Sequence, residues 1–552
     1  MTVAVILATG RIAGSHDPCP AAVLPRPGAT GEAERPTLLA RLRAQLATLN
    51  VPDHHVITRP ELAPALRKDG HDVIESDDTA GDLHEIARLA GRARGPVVVL
   101  AGDLVTGDEP LARLLIDAKG SVAALTGPLA GAATPVRSER GRIASAGSPY
   151  HRVTEPDAGF PGALRVSPPR TAALAEIVES LVLFLGDPEA PGRPLPEPVP
   201  GCPARGGPAL AGPAPVRAPE AIELLLVGLV RGGVPVTRCG DSQLVCVRAD
   251  SEEGVAAAVS ALDAVDEDEV RLAAAVKSND GFFTTFAVST YSRHIARWAA
   301  RRGLTPNMVT SISMGVAVVA AVWFAAGTRT GMVVGGVLFY FAFVFDCVDG
   351  QLARYTRQFS TLGAWLDAVF DRAKEYVVFA GLAVGSTAAA AGSGVHGGDV
   401  WGLAVAALAL QTIRHMIDFA YGASNRVRAV RPLPEVPLTS VDDGAPPAAP
   451  PPAPASAEQP VVANAAAPNA TGQKATARPG GFVARLSGST SQVRLLHWAK
   501  KIIVLPIGER FALIAITAAL FDARVTFLAL LLWGGVAAMY TLTGRVMRSI
   551  AR

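Results

Sequence analysis

The chain has 552 residues, enough for more than one domain, and its formal net charge of +2 is too small for a nucleic-acid binder working by bulk electrostatics. A mean hydropathy of +0.30 with 18% charged residues excludes an ordinary soluble protein along the whole length; a polar first part precedes a very apolar later part. Five scattered cysteines, Cys19, Cys202, Cys239, Cys246 and Cys347, show neither metal-ligand spacing nor an even disulfide framework, which favours a reducing compartment.

The opening MTVAVILATG lacks a basic n-region and a cleavage site, so it reads as a buried strand entering a turn and not as a signal peptide. It begins an α/β domain predicted over 1–276. TVAVILATG and GPVVVLAGD are short apolar strands ending at glycine, and PTLLARLRAQLATL and HEIARLAGRA between them have helical periodicity. A Pro- and Gly-rich loop covers about 187–219. From Ala221 to about Leu272 a small α/β piece follows, with VPVTRC and QLVCVRA as strands, expected to pack on the first domain.

Residues 277–305 form an amphipathic juxtamembrane segment. Arg293, Arg297 and Arg301 recur every four residues, with Ile295, Trp298 and Ala299 on another face, a pattern suited to an anionic membrane surface. Hydropathy then predicts six transmembrane helices: four within 306–429, at about 308–327, 331–349, 362–391 and 400–422, and two within 481–552, at about 503–523 and 526–545. Pro506, Glu509 and Arg510 interrupt the fifth. A Pro/Ala-rich stretch over 430–480 is compositionally a disordered linker. Arg301, Arg302, Arg354, Arg357, Arg426, Arg428, Arg431, Lys500, Lys501, Arg545 and Arg548 fall on one side, against Arg329 and Arg524 on the other. The positive-inside rule therefore predicts a multi-pass protein of the cell membrane with both termini cytoplasmic.

Between two apolar runs stands DCVDGQLARYTRQFSTLGAWLDAVFD, from Asp346 to Asp371. One Asp at the centre of a membrane helix costs roughly +2.5 to +3.5 kcal/mol on insertion scales, so four such residues mark a function. At about 100° per residue Asp346, Asp349, Gly350, Ala353 and Arg354 share one helix face, and Gly363, Asp367 and Asp371 share another. Convergent carboxylates repel unless cations lie between them, and hard oxygen ligands select Mg²⁺, Mn²⁺ or Ca²⁺. Two such ions are a standard device for displacement at phosphorus. Gly350, Ala353 and Gly363 leave room for a phosphate-bearing ligand, and Arg354 supplies a charge for its oxygens. The competing reading is an ionic cluster in which Arg354, Arg357, Arg372 and Lys374 neutralise the aspartates. Farther along, Arg414 and Asp418 are spaced for an i,i+4 pair, the alternative being that they face the acceptor pocket.

The pattern Asp-x2-Asp-Gly-x2-Ala-Arg-x8-Gly-x3-Asp-x3-Asp, matched at every fixed position from Asp346 to Asp371, resembles the CDP-alcohol phosphotransferases, integral membrane enzymes with six helices. GLTPNMVT before the first span is similar to the opening of that family, and the resemblance covers roughly residue 290 to the C-terminus. It implies that Asp346, Asp349 and Asp367 hold two ions, Mg²⁺ or Mn²⁺, with Asp371 completing the site and acting as general base. Gly350, Ala353, Arg354 and Gly363 would line the CDP site. The implied reaction moves a substituted phosphate, such as phosphatidyl from CDP-diacylglycerol, from a CDP-activated donor to a small polar alcohol, releasing CMP at a cytoplasmic active site of a homodimer. A membrane prenyltransferase also binds Mg²⁺-diphosphate through paired aspartates, but lacks the Gly-x2-Ala-Arg element. A metal-binding scaffold or transporter leaves Gly350 and Arg354 unexplained.

AVILATGRIAG with VVVLAGDLVTGDEPLARLL resembles a nucleotidyltransferase of the sugar-phosphate type, which implies Asp103 as a Mg²⁺ ligand. Fusion of such a domain to a CDP-alcohol phosphotransferase is the plan of bifunctional enzymes of inositol-phosphate condensation. This sequence departs from the pattern: its loop offers only Gly10, Arg11 and Gly14, and Pro25-Arg26 replaces the usual Pro-Lys. An inert scaffold and an active cytidylyltransferase are both open at this point.

Overall fold

All five side chains of β1 (Val3–Leu7) are buried, as a strand covered on both faces requires. In this computed structural model the described residues are 2–12, 19–25, 36–118, 120–129, 133–187, 219–240, 243–277, 280–393, 399–426, 435–443 and 494–550. The Pro-rich loop over 188–218 and most of the 430–480 linker lie outside them. The chain divides into two units, Met1–Asp268 with Val430–Ala448, and Glu269–Ala429 with Ala449–Arg552.

The first unit is α/β. Its further strands are β2 (Asp53–Thr58), β3 (Val73–Glu75), β4 (Val97–Ala101), β5 (Leu104–Thr106), β6 (Val122–Leu125), β7 (Thr134–Glu139), β8 (Arg142–Ala146), β9 (Ala158–Phe160), β10 (Ala163–Val166), β11 (Val236–Cys239) and β12 (Cys246–Arg248). Ten form one mixed sheet in the order β3-β2-β1-β4-β10-β6-β11-β8-β7-β9, and β12 pairs separately with β5. As the apolar runs predict, β1 and β4 are adjacent and parallel, Val3 opposite Val97. Helix α1 (Leu38–Thr48) starts where Thr37 accepts a bond from the Ala40 amide at 3.2 Å. Helix α2 (Thr79–Arg92) starts where Asp78 accepts from Gly81 at 2.7 Å. Helices α3 (Thr171–Gly186) and α4 (Ala221–Arg231) follow, and every residue of α4 is buried.

The piece after Ala221 does not form a separate layer. β11 is an internal strand, parallel to β6 and antiparallel to β8, and bonded to both. Strand edges left bare would expose unpaired amides, so insertion satisfies what local sequence cannot show.

Part of the expected linker is also held. The Val436 amide donates to Arg231 O, and Arg231 donates to the carbonyls of Pro437, Ser440 and Asp442 at 2.8, 2.5 and 3.0 Å. The Arg152 amide bonds Val441 O, and Thr154 bonds Asp443 through amide and hydroxyl. Four backbone carbonyls, counting Leu438 O, are satisfied by buried side chains, which is why a Pro-rich strap of low regular structure stays in place. Arg231→Ala should release residues 435–443, a local loss of about 2–4 kcal/mol read as new protease cleavage there. Unchanged cleavage would refute that role.

His151 lies under the strap, 2% exposed, with Nε2 on Leu438 O and Nδ1 on Ser148 Oγ. Burial, reinforced by Arg231, pushes its pKa down to about 4. A depressed folded-state value means that the unfolded chain binds the extra proton first. Its contribution, about 3 kcal/mol, is therefore complete above the unfolded value near 6.5 and lost as pH falls toward 4. Exchange of strap amides should rise across that window in the wild type and less in His151→Gln.

The second unit is helical: α5 (Ser289–Arg301), α6 (Pro306–Ala325), α7 (Arg329–Thr356), α8 (Thr361–Ser393), α9 (Asp399–Arg426), α10 (Arg494–Ile503), α11 (Ile507–Leu520) and α12 (Ala523–Ile550). On α5 the basic face pairs Arg293 and Arg297 with Glu269, at 3.7 and 4.0 Å, while Trp298 is exposed. Among the described residues four helices are long and apolar enough to cross a membrane: Pro306–Ala325, Arg329–Thr356, Val400–Ala423 and Ala523–Met547. Helices thus stand at all six predicted positions, and four of them have the length and composition of a span among the described residues. α8 carries Asp367, Asp371, Arg372, Lys374 and Glu375 in its first half, and α11 has 14 residues where a straight span needs about 20.

The charges that interrupt the predicted fifth span are buried and paired. Arg510 Nε and Nη2 donate to Glu375 Oε1 at 3.0 and 2.7 Å, and Glu509 Oε1 accepts from the Phe283 amide at 3.2 Å. Leu505, at φ 52°, turns the chain from α10 into α11, and Arg414 donates to the carbonyls of Val504 and Leu505 at that break. Asp418 pairs with Arg545 on α12, not with Arg414, because Arg414 is drawn to those carbonyls.

Candidate active site

Three helices build the site. α6 begins at Pro306 behind an N-cap, Thr305 Oγ1 accepting from the Met308 amide at 3.3 Å. α7 carries Asp346 and Asp349 one turn apart and ends on Arg357, whose φ of 56° reverses the chain into α8 with Asp367 and Asp371.

One carboxylate oxygen each of Asp346, Asp349 and Asp367 lie within 4.8 Å of one another. Asp349 is 3% exposed and accepts from Thr310 Oγ1 of α6 at 2.6 Å. Asp371 lies outside this group of three; its Oδ1 is buried with no hydrogen-bond partner and 3.5 Å from Lys374 Nζ. Lys374 is fully buried, one turn beyond Asp371, and donates to Asp346 and, at 3.0 Å, to Ser313 Oγ.

Lys374 does what the ionic-cluster reading asked of it. The other cations are placed differently: Arg354 donates Nε to the Ala275 carbonyl, and the Arg372 guanidinium lies 4.5 Å from the Phe419 ring centre. Lys374 bonds Asp346 and faces Asp371, while Asp349 is held by a neutral hydroxyl. Three convergent hard oxygen donors and an orphaned carboxylate oxygen fit a divalent cation.

The small residues separate into two kinds. A Cβ on Gly350 would meet the Arg354 guanidinium at 3.3 Å, the far end of a flexible chain, so space there opens when Arg354 moves. A Cβ on Gly363 would lie 2.6 Å from Asn307 Oδ1 and 2.8 Å from Ser360 Oγ. Gly363 is therefore required by the close approach of α6 to α8, whatever ligand it also admits. Ala353 is partly buried beside Arg354. Sequence reasoning missed Thr310 and Ser313, and had Lys374 only as a member of the competing ionic cluster. The final Thr of GLTPNMVT was visible, but its bond to Asp349 needs the helices packed.

Asp103 belongs to the other unit, two residues past β4, and both its oxygens bond Arg248 of β12. Burial raises its carboxyl and Arg248 opposes the rise.

Residues 303–434 match the family model of CDP-alcohol phosphatidyltransferase. Similar curated proteins include the phosphatidylinositol phosphate synthase of Mycolicibacterium smegmatis, 38% identical over 106 residues, 19% of this chain and 46% of that one. The archaetidylinositol phosphate synthase of Pyrococcus horikoshii is 30% identical over 91 residues, 16% of this chain and 47% of that one. The bifunctional IPC transferase and DIPP synthase of Rubrobacter xylanophilus is 38% identical over 92 residues, 16% and 20% of the two chains. The chain spans less than half the length of these relatives. Among solved structures, the inositol-1-phosphate CTP transferase from T. maritima aligns at 12% identity and TM-score 0.32 over 47% of this chain and 95% of that one. The apo phosphatidylinositol phosphate synthase of Mycobacterium tuberculosis aligns at 19% and 0.21, over 43% and 94%. Four helices among the described residues are long and apolar enough to cross a membrane, and the segment that holds all four aspartates lies within residues 303–434, the part that matches the CDP-alcohol phosphatidyltransferase family.

Proposed function

We propose that this protein transfers a substituted phosphate from a CDP-activated alcohol, with CDP-diacylglycerol the first candidate, to an acceptor hydroxyl, releasing CMP. The observation that supports it most is the convergence of Asp346, Asp349 and Asp367 within 4.8 Å, with Thr310 fixing Asp349. Asp346, Asp349 and Asp367 would hold two Mg²⁺ or Mn²⁺ ions, with Asp371 at their edge. Bound there, the ions supply neutralisation of the phosphate charge and of the leaving CMP. Asp371 takes the proton of the acceptor hydroxyl as general base. Lys374 holds Asp371 and Asp346 in position, and Arg354 swings from the Ala275 carbonyl to a phosphate oxygen. Gly350 and Ala353 give the CDP group its close approach.

The relatives named as synthases of phosphatidylinositol phosphate and archaetidylinositol phosphate put inositol phosphate first among acceptors to try. The basic-residue bias favours a cytoplasmic site and cytoplasmic termini, and the family resemblance favours a homodimer. Purified protein given CDP-diacylglycerol, inositol phosphate and Mn²⁺ should release CMP, and chelation should stop it. Silence with every CDP donor, despite metal binding, would remove the enzyme reading.

A bifunctional cytidylyltransferase–phosphotransferase is the second reading, favoured by the α/β unit and by the bifunctional relative. Asp103 is the residue on which it stands or falls.

A further inference from the structure

Nucleotidyl transfer of the kind that the first unit's sequence resembles needs a carboxylate free to hold a cation against triphosphate oxygens. Asp103 is in the right place for that task. It stands two residues past β4, in the turn before β5, and a Cβ on Gly10 in the loop that leaves β1 would lie 3.5 Å from its Oδ2. Its state is wrong. Arg248 donates Nε to Oδ1 at 2.9 Å and Nη2 to Oδ2 at 2.8 Å, a bidentate pair, and its Nη1 donates to Glu220. The side chains of Asp103 and Arg248 are 6% and 5% exposed.

A guanidinium cannot lose its charge at any physiological pH. Burial works against that charge, but Asp103 and Glu220 together raise Arg248 above the ordinary arginine value. A divalent ion on Asp103 would sit next to a fixed positive charge in a site screened from water, and evicting Arg248 would strand two carboxylates. The residues present do not fit the metal. In the described part of the loop, Arg11 is paired with Glu61 at 2.7 Å. Among the described residues the one cluster of three candidate metal ligands is that of Asp346, Asp349 and Asp367.

We infer that Arg248 stands permanently in the cation's place at Asp103, so that the first unit carries out no nucleotidyl transfer and the CDP-activated donor is made by a separate CTP-dependent cytidylyltransferase. In that supplying reaction a phosphate oxygen of an alcohol or lipid phosphate attacks the α-phosphorus of CTP. The α–β anhydride bond breaks and pyrophosphate leaves. This protein then acts on the product by the phosphotransfer proposed above, on which the inference rests.

The test uses the full-length protein in detergent. Wild-type protein with CTP, Mg²⁺ and a pool of inositol phosphate, glycerol phosphate and phosphatidic acid should release no pyrophosphate above a protein-free control. Mn²⁺ stoichiometry, read from the loss of the free-ion paramagnetic resonance signal, should be the same in wild type and Asp103→Asn. Pyrophosphate release that Asp103→Asn abolishes would overturn the inference, as would loss of one Mn²⁺ per chain in that variant. The pyrophosphate assay on the wild type needs no variant to fold. CMP release from preformed CDP-alcohols, run in parallel, tests the phosphotransferase reading separately: its absence sinks that reading, whereas pyrophosphate release sinks this one.

Discussion

Asp371→Asn should lower the rate of CMP release by about 10²–10⁴-fold, the range a positioned general base contributes, while Mn²⁺ affinity stays within a few-fold. The separation of effects follows from the geometry. Asp371 lies outside the group of three converging carboxylates, with Oδ1 unbonded beside Lys374. Asp349→Asn should fail one step earlier, because it removes a member of that group, and metal binding should weaken with turnover. Thr310→Ala should cost about 10–100-fold in metal affinity, since the hydroxyl orients Asp349 from 2.6 Å and touches nothing that reacts. Isothermal titration with Mn²⁺ beside a CMP assay separates the three. If Asp371→Asn keeps full turnover, another group takes the proton.

Arg510→Met should cost about 3–5 kcal/mol of stability, because it leaves Glu375 as a buried charge without its partner. Glu375 is 0% and Arg510 6% exposed, and two nitrogens of Arg510 bond one Glu375 oxygen. Gln411 supplies one further contact, to Oε2 at 3.3 Å, too little to hold the charge alone. Replacing both members, Glu375→Leu with Arg510→Met, should recover most of the loss, since the desolvation penalty goes with the pair. Thermal unfolding in detergent micelles reads both. Equal destabilisation in the single and double variants would show that shape, not charge, joins α8 to α11.

The aspartate motif was readable because spacings of three and four residues fix a shared helix face before any packing is known. The same holds for β1 and β4, whose unbroken apolar runs announce strands covered on both sides. Helix positions in the second unit were visible too. Hydropathy located α8 and α11 but could not show that Glu375 of one pairs with Arg510 of the other.

Other features depended on residues far apart in the chain. β11 enters the sheet between β6 and β8, and the strap at 435–443 is held by Arg231, more than two hundred residues earlier. Lys374 belongs to the site only because α6 presents Ser313 and α7 presents Asp346 to it.

Asp103 marks the boundary most clearly. An Asp after a buried strand and a glycine-bearing loop is a local pattern, and the sequence by itself determined that such a residue exists and that it follows its strand. Whether it can hold a cation depends on an arginine 145 positions away, and charge proximity through space leaves no trace in local spacing. Four membrane carboxylates, by contrast, lie within one helical hairpin, where spacing and proximity are nearly the same thing. Sequence determined that site's composition, and tertiary packing decided which of its oxygens converge and which one lies outside the group of three.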